Sequence, residues 1–196
     1  MILPIVAYGD PVLRKVATEI DADYPNLEKL ISNMKETMYN ASGVGIAAPQ
    51  IGKAIRLFII DASPFADDED LTEKDREVLK NFNRVFINAK IIKEEGEEWV
   101  FSEGCLSIPD VREDVFRQPK ITIEYQDESF NTHTETLDGL AARVFQHEYD
   151  HIDGILFTDK LSTLKKRLIK KKLENISKGK INADYRMRFP NAKKGK

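Results

Sequence analysis

Two of the three histidines in this chain stand four positions apart with a glutamate between them, in Gln146-His147-Glu148-Tyr149-Asp150-His151. On a helix, positions four apart share a face, so the His147 and His151 imidazoles can grip one divalent ion while Glu148 sits at its edge. Neutral imidazoles leave such an ion strongly Lewis acidic, and the carboxylate can take a proton from a water on the metal and hand it on. The competing reading is a solvated helical face that happens to carry His and Glu. A helical context and a third ligand decide between the two, because a catalytic site of this kind uses three protein ligands and an open position. Downstream of the motif there is no histidine, and Glu174 is the only glutamate. Upstream stands Glu103-Gly104-Cys105-Leu106-Ser107-Ile108-Pro109, a polar turn with the single cysteine at its centre. One cysteine excludes an internal disulfide, and its default role is that of a small buried hydrophobe.

The elements that must position these groups follow from periodicity. Asp138 is suited to cap a helix in which Leu140, Val144, His147 and His151 share a face, and Gly154 suits its C-terminal end. Ahead of it, Asp10-Pro11 predicts a short helical turn, and Leu27, Leu30, Ile31, Met34 and Met38 predict an amphipathic helix within 25–40. The three glycines and proline between Gly43 and Gly52 argue against a regular element there. Ile55 to Ile60 reads as a buried strand, and Asp61 to Asn83 as an exposed acidic excursion with a short helix from Thr72 to Lys80. Strands are expected at 85–93 and 97–101, hairpinned about Gly96, then as a second pair at 111–116 and 121–125. Another, at 132–137, turns back through Asp127 to Asn131. Ile155 to Phe157 reads as a short strand. A last helix, 160–176, has Leu161, Leu164, Leu168 and Leu173 facing inward, and Lys178 to Lys196 has little core-forming character. Strands first and the buried helix later predict an α+β fold: antiparallel sheets packed around a central helix that carries the motif, with a C-terminal helix.

With 196 residues, 41% hydrophobic and 32% charged, the chain suits one globular domain of ordinary composition. We expect a catalytic domain over 1–164 and a basic extension of it over 165–196. The first ten residues lack a basic leader and no apolar run is long enough for a membrane span, so a cytoplasmic protein with no membrane partner is expected. From Lys165 to Lys196, thirteen Lys or Arg face only Glu174 and Asp184, against a whole-chain net charge of −3. Such a basic arm on an acidic body suits a ribosomal surface or serves as a solvated helix, and nothing points to sequence-specific nucleic-acid binding.

Three stretches in order, Gly43-Val44-Gly45-Ile46-Ala47-Ala48-Pro49-Gln50, Glu103-Gly104-Cys105-Leu106-Ser107 and Gln146 to His151, resemble the signatures of the peptide deformylases. The resemblance runs from the opening residues to about Lys160. It implies hydrolysis of the formyl group from the formyl-methionine of nascent peptides, with a metal-bound water attacking. By the match, Cys105, His147 and His151 bind the metal, Glu148 is general base and then general acid, and Gln50 with the Leu106 backbone N–H stabilises the oxyanion. The metal would be Fe(II) in the cell, with zinc, nickel or cobalt in purified protein. Val44, Gly45 and Gly104 would bond the substrate backbone, and Arg112 would touch it further along. Val44, Phe101, Leu140, Val144 and the His147 ring would receive the methionine side chain. Arg117 would pair with Glu103 to brace the cysteine turn, Gln146 and Asp150 would be structural, and His133 a surface residue. Two rivals remain: a protease of the zincin type with a downstream ligand, and a ribosome-docking module with a structural metal.

Overall fold

The structure, a computed structural model, describes residues 1–192. Its centre is a five-stranded antiparallel sheet in the order β2 (Gly45–Ala47), β3 (Leu57–Asp61), β4 (Asn83–Glu95), β7 (Lys120–Gln126) and β8 (Thr132–Asp138). Alternation along β3 explains why the whole strand is buried. Leu57 and Ile59 face helix α1 (Leu27–Asn40) and its Leu30, Ile31, Met34 and Met38, while Phe58 and Ile60 face the opposite cluster. Helix α3 (Gly139–Ile152) closes that second face through Ala141, Ala142, Phe145 and Ile152. The Phe145 ring meets Phe58 and Phe86 edge-on, with centroids 5.1 Å away in each case, the geometry that aromatic quadrupoles prefer. The motif helix is therefore clamped by its apolar side, leaving its polar side to a different neighbour.

That neighbour is the hairpin of β5 (Trp99–Cys105) and β6 (Ile108–Arg117). Ile108, Val111 and Val115 pack with Leu156, Phe157 and Leu161 against Ile169, Leu173 and Ile176 of α4 (Thr163–Ser177). The fold is thus α+β as expected, with antiparallel sheets about the motif helix and a C-terminal helix. Helix α2 (Glu73–Lys80) forms where a short helix was expected, with Thr72 as its cap, but the excursion around it is less exposed than its charge implies. Asp61, Ala62, Ala66, Leu79 and Phe82 are all buried.

Six local expectations are corrected. Gly43 to Gly52 does contain regular structure, the buried strand β2 and a 3-10 turn over Ala48–Ile51, because small residues let this edge strand lie against α3. The hairpin about Gly96 does not form: β4 pairs with β3 and β7, and β5 with β6. Likewise 111–116 and 121–125 belong to different sheets, β7 pairing instead with β4 and β8. Gly96 hands the chain from one sheet to the other at φ +95°, where a Cβ would stand 2.6 Å from Pro119. Ile155 to Phe157 is not a strand, since Ile155 N–H closes back on the Asp150 carbonyl and Phe157–Lys160 coils into a 3-10 turn. On α4, Leu164 and Leu168 are 67% and 71% exposed. They lie roughly 130° around the helix from the stripe of Ile169, Leu173 and Ile176 that is buried. Finally, 178–192 is tied down: strand β9 (Met187–Arg188) pairs in parallel with β1 (Ile5–Val6), and Asn191 bonds Ser177. Residues 193–196 of the expected tail lie outside the described residues.

Candidate active site

Helix α3 starts where Asp138 accepts a hydrogen bond from Gly139 N–H and ends at Asp153, before Gly154 at φ +73°. Those boundaries set His147 and His151 one turn apart with their rings 5.2 Å from each other. The β5–β6 turn brings Cys105 to them, with Sγ 3.2 Å from His151 Nε2. One donor atom from each of Cys105, His147 and His151 lies within 4.8 Å of the others. A thiolate with two imidazoles suits the borderline and softer divalent ions, zinc, iron, nickel and cobalt among them. His147 Nδ1 is 2.9 Å from Glu103 Oε2, so this ring donates to a carboxylate and turns Nε2 inward, the arrangement that orients a metal-ligating histidine. The residues fit a metal site.

Glu103 anchors the turn. Its Oε1 accepts from Arg117 Nε at 2.7 Å and Arg143 Nη1 at 3.0 Å, and its Oε2 from Arg117 Nη2 at 2.9 Å. Arg117 reaches on to Asp150 Oδ2 at 2.7 Å. Burial alone would raise the Glu103 pKa, but the Arg117 and His147 hydrogen bonds outweigh it and hold the carboxyl well below its usual range. Glu148, on the cavity side, has no such support. Its Oε2 finds no hydrogen-bond partner among the described residues, and burial, with the Glu103 charge adding to it, pushes its pKa up to about 7. His151 is lowered by burial and then by His147, which favours the neutral imidazole, the form able to ligate a metal. His147 runs the other way. Burial opposes, yet its bonds to Cys105 and Glu103 raise it, so ligation there must displace a proton.

Gln50 enters from the 3-10 turn after β2. Ala47 N–H donates to its Oε1 at 2.8 Å, which fixes the amide so that Nε2 points at Cys105 Sγ and Ser107 Oγ, each 3.4 Å away. Gly45 runs beside Glu148 so closely that a Cβ would lie 2.3 Å from Oε1. These groups border an open cavity of about 450 Å3 whose wall also includes Val44, Phe101, Gly104, Leu106, Arg112 and Val144. Leu140 does not line it, but packs against the core between α3 and the main sheet. Arg112 Nη2 donates to the Ser102 carbonyl at the cavity edge. Gln146 bonds the Gln118 carbonyl, and His133 pairs with Asp127 on the surface, away from the site.

Among the lining residues that sequence reasoning missed are Arg143 and Phe65. Arg143 is 1% exposed, bonds the Val115 and Trp99 carbonyls besides Glu103, and lies over the Trp99 ring at 4.5 Å. A lone arginine within Ala141-Ala142-Arg143-Val144-Phe145, one turn before His147, is a signal that could have found it. Phe65, set edge-on to Phe101, comes from the acidic excursion and carries no such signal. Glu174 borders a different cavity, beside Tyr8 and Lys170, so the downstream ligand that a protease of the zincin type needs is not supplied by it.

A sequence model of the family described as polypeptide deformylase matches residues 2–167. The chain is 71% identical to the peptide deformylase of Christiangramia forsetii and 68% identical to that of Flavobacterium johnsoniae, in both cases over the full length of both proteins. Among solved structures it is similar to the peptide deformylase of Thermus thermophilus, at 39% identity and a TM-score of 0.76, over 90% of this chain and 98% of that one. The Legionella pneumophila deformylase gives 36% identity and a TM-score of 0.76, over 92% and 98% of the two chains.

Proposed function

The chain belongs to the peptide deformylase family, hydrolases that remove the N-terminal formyl group of nascent polypeptides, and on that premise we propose how its residues share the work. Cys105, His147 and His151 hold one divalent ion, Fe(II) in the cell and zinc, nickel or cobalt in purified protein. When bound, the ion supplies Lewis acidity that makes a nucleophilic water available near neutral pH. Glu148 takes a proton from that water at Oε2 and delivers it to the nitrogen of the departing amine. Gln50 Nε2 and the Leu106 N–H donate to the formyl oxygen as charge grows on it, a contribution of roughly 3–4 kcal/mol for each donor. Because the Ala47 N–H already fixes the Gln50 amide, little reorganisation is needed at that moment.

In this reading the substrate backbone pairs with Val44, Gly45 and Gly104, like an added strand, and Arg112 meets it further along. Its methionine side chain enters between Val44, Phe101, Val144 and the His147 ring. A formyl carbon carries hydrogen where a peptide carbonyl carries a chain, so it is the less hindered electrophile and is cleaved in preference. Substrates still emerging from synthesis put the enzyme in the cytoplasm. The exposed lysines and arginines of α4 then offer a ribosome contact that salt would weaken.

The observation that carries this reading is the convergence of Cys105, His147 and His151 beside a buried carboxylate oxygen with no hydrogen-bond partner among the described residues. Formate release from a formyl-methionyl peptide, by protein purified without oxygen and assayed for metal, tests it. Cys105→Ala is expected to lose the metal, and substantial cleavage of internal peptide bonds by the native protein would contradict the assignment.

A further inference from the structure

The C-terminal arm, residues 178–192, lies beyond the 2–167 match to the family and yet reaches the metal turn. After α4 it returns alongside β1, where Ile5 N–H donates to the Arg186 carbonyl and Ala7 N–H to that of Arg188, both at 2.9 Å. Arg188 also pairs with Asp10 at 3.2 Å. Between α4 and this strand, Tyr185 packs beside Leu106, and its hydroxyl donates to the Leu106 carbonyl at 2.8 Å. Burial, with the charges of Cys105, Asp110 and Asp184 adding, raises the Tyr185 pKa, so the phenol stays a donor.

The turn is thereby held from three sides. Tyr185 takes the Leu106 carbonyl, Tyr8 N–H takes the Ser107 carbonyl at 2.8 Å, and Gln50 Nε2 reaches the Ser107 hydroxyl. A carbonyl fixed in place fixes the plane of its peptide unit, and so restrains the ψ angle of Leu106. The preceding peptide unit carries the Leu106 N–H, and the residue before it is Cys105. We propose that Tyr185 is a positioning residue for deformylation: by holding the Leu106 carbonyl, the arm aims the Leu106 N–H and steadies the Cys105 thiolate. This inference rests on the roles given above to Leu106 and Cys105.

The test compares full-length, metal-loaded wild type with Tyr185→Phe, which keeps the ring and loses only the donor, and with Arg188→Gln, which removes the ion pair to Asp10 and leaves the arm's backbone bonds to β1 and the Tyr185 hydroxyl in place. The readouts are kcat and KM for a formyl-methionyl peptide, Tm, the rate at which a chelator strips the metal, and the thiolate-to-metal absorption band of the cobalt form. For Tyr185→Phe we expect a fall in kcat of about five- to tenfold with KM within about twofold, because the interaction matters chiefly in the transition state. The absorption band should shift and the metal should leave faster. Arg188→Gln should lower Tm and leave kcat and the band alone. Assays in the cold, well below either Tm, keep the comparison valid if Tyr185→Phe is less stable. Wild-type kcat and an unshifted band in Tyr185→Phe overturn the proposal. Retention of metal by Cys105→Ala would instead overturn the reading beneath it.

Discussion

Glu103 and Glu148 are equally buried, each 4% exposed, and they flank the same histidine, yet the molecule surrounds them in opposite ways. Behind His147, Glu103 receives hydrogen bonds from two arginines and the imidazole. On the cavity side, Glu148 Oε2 has no hydrogen-bond partner among the described residues, and its neighbour Gly45 runs too close to leave room for a side chain. A buried charge is tolerable only when it is paired and bonded; left alone it shifts toward its neutral form. Gathering the positive partners on one carboxylate keeps it ionised and fixed. Withholding them from the other leaves a group that can gain and lose a proton near neutrality. Rigidity and reactivity are thus divided between two sides of one helix.

Exchanging the supported and unsupported groups for inert ones should separate these roles. The largest effect is expected for Glu148→Gln, which keeps the shape and removes the carboxylate proposed as the proton carrier. Turnover should fall by about 10^3 to 10^4, or roughly 4–5 kcal/mol of barrier, with metal content unchanged and Tm unchanged or higher. An active Glu148→Gln protein would break the division outright. For Glu103→Ala the loss should appear in stability. Two buried guanidinium groups lose their shared carboxylate, a change of about 3–5 kcal/mol seen in Tm or urea midpoint, and metal affinity should drop by about 10- to 100-fold. If this variant instead kept its stability and lost only turnover, the roles of the two glutamates would have to be merged.

Gly45→Ala is subtler, because it touches neither charge. A methyl group there would meet Glu148 from Cγ to Oε1 at 2.3 to 2.8 Å, so the carboxylate must swing away while the fold and the metal ligands stay. We expect a loss of about 100-fold in kcat, of the order produced by a misplacement near 1 Å, with normal metal content. Near-native turnover would show that the position of Glu148 is less constrained than its crowded setting implies.

How far the sequence foretold this arrangement depends on whether the signal was local. The motif helix, its caps and its histidine pair were readable because a 3.6-residue period and an i, i+4 pair are properties of one segment. The resemblance then supplied Cys105, Gln50 and the Arg117–Glu103 pair, which no single segment could link. What failed was non-local. Nothing near Gly96 says that β4 and β5 part company, because that is decided by partners some twenty residues away. Leu140 fits the apolar face of the helix, but a face more than 100° wide serves both core and cavity, and the period cannot divide them. The apolar setting of Arg143 marks it in the sequence, but its partners, like that of Tyr185, are backbone carbonyls of other elements, which no sequence pattern names.

A third buried carboxylate, Asp61, sharpens the comparison with the smallest expected effect. It is satisfied like Glu103, but by neutral donors: Ser63 N–H and Oγ on one oxygen, Tyr39 Oη at 2.8 Å and Asn83 Nδ2 at 2.9 Å on the other. Burial opposes ionisation here too, yet the bonds from Ser63, Tyr39 and Asn83 lower its pKa below the ordinary value. Because the folded value lies below the unfolded one, near 3.9, the folded state binds this proton less readily. Its contribution is therefore fully present above about pH 5 and is lost as the pH falls through the folded value. Asp61→Asn should cost about 1–2 kcal/mol at neutral pH, and the gap in urea midpoint from the wild type should close as the pH is lowered toward 3. A gap that stays constant with pH would mean that neutral donors do not hold this carboxylate ionised, and that Glu103 owes its state to its arginines and not to the number of its hydrogen bonds.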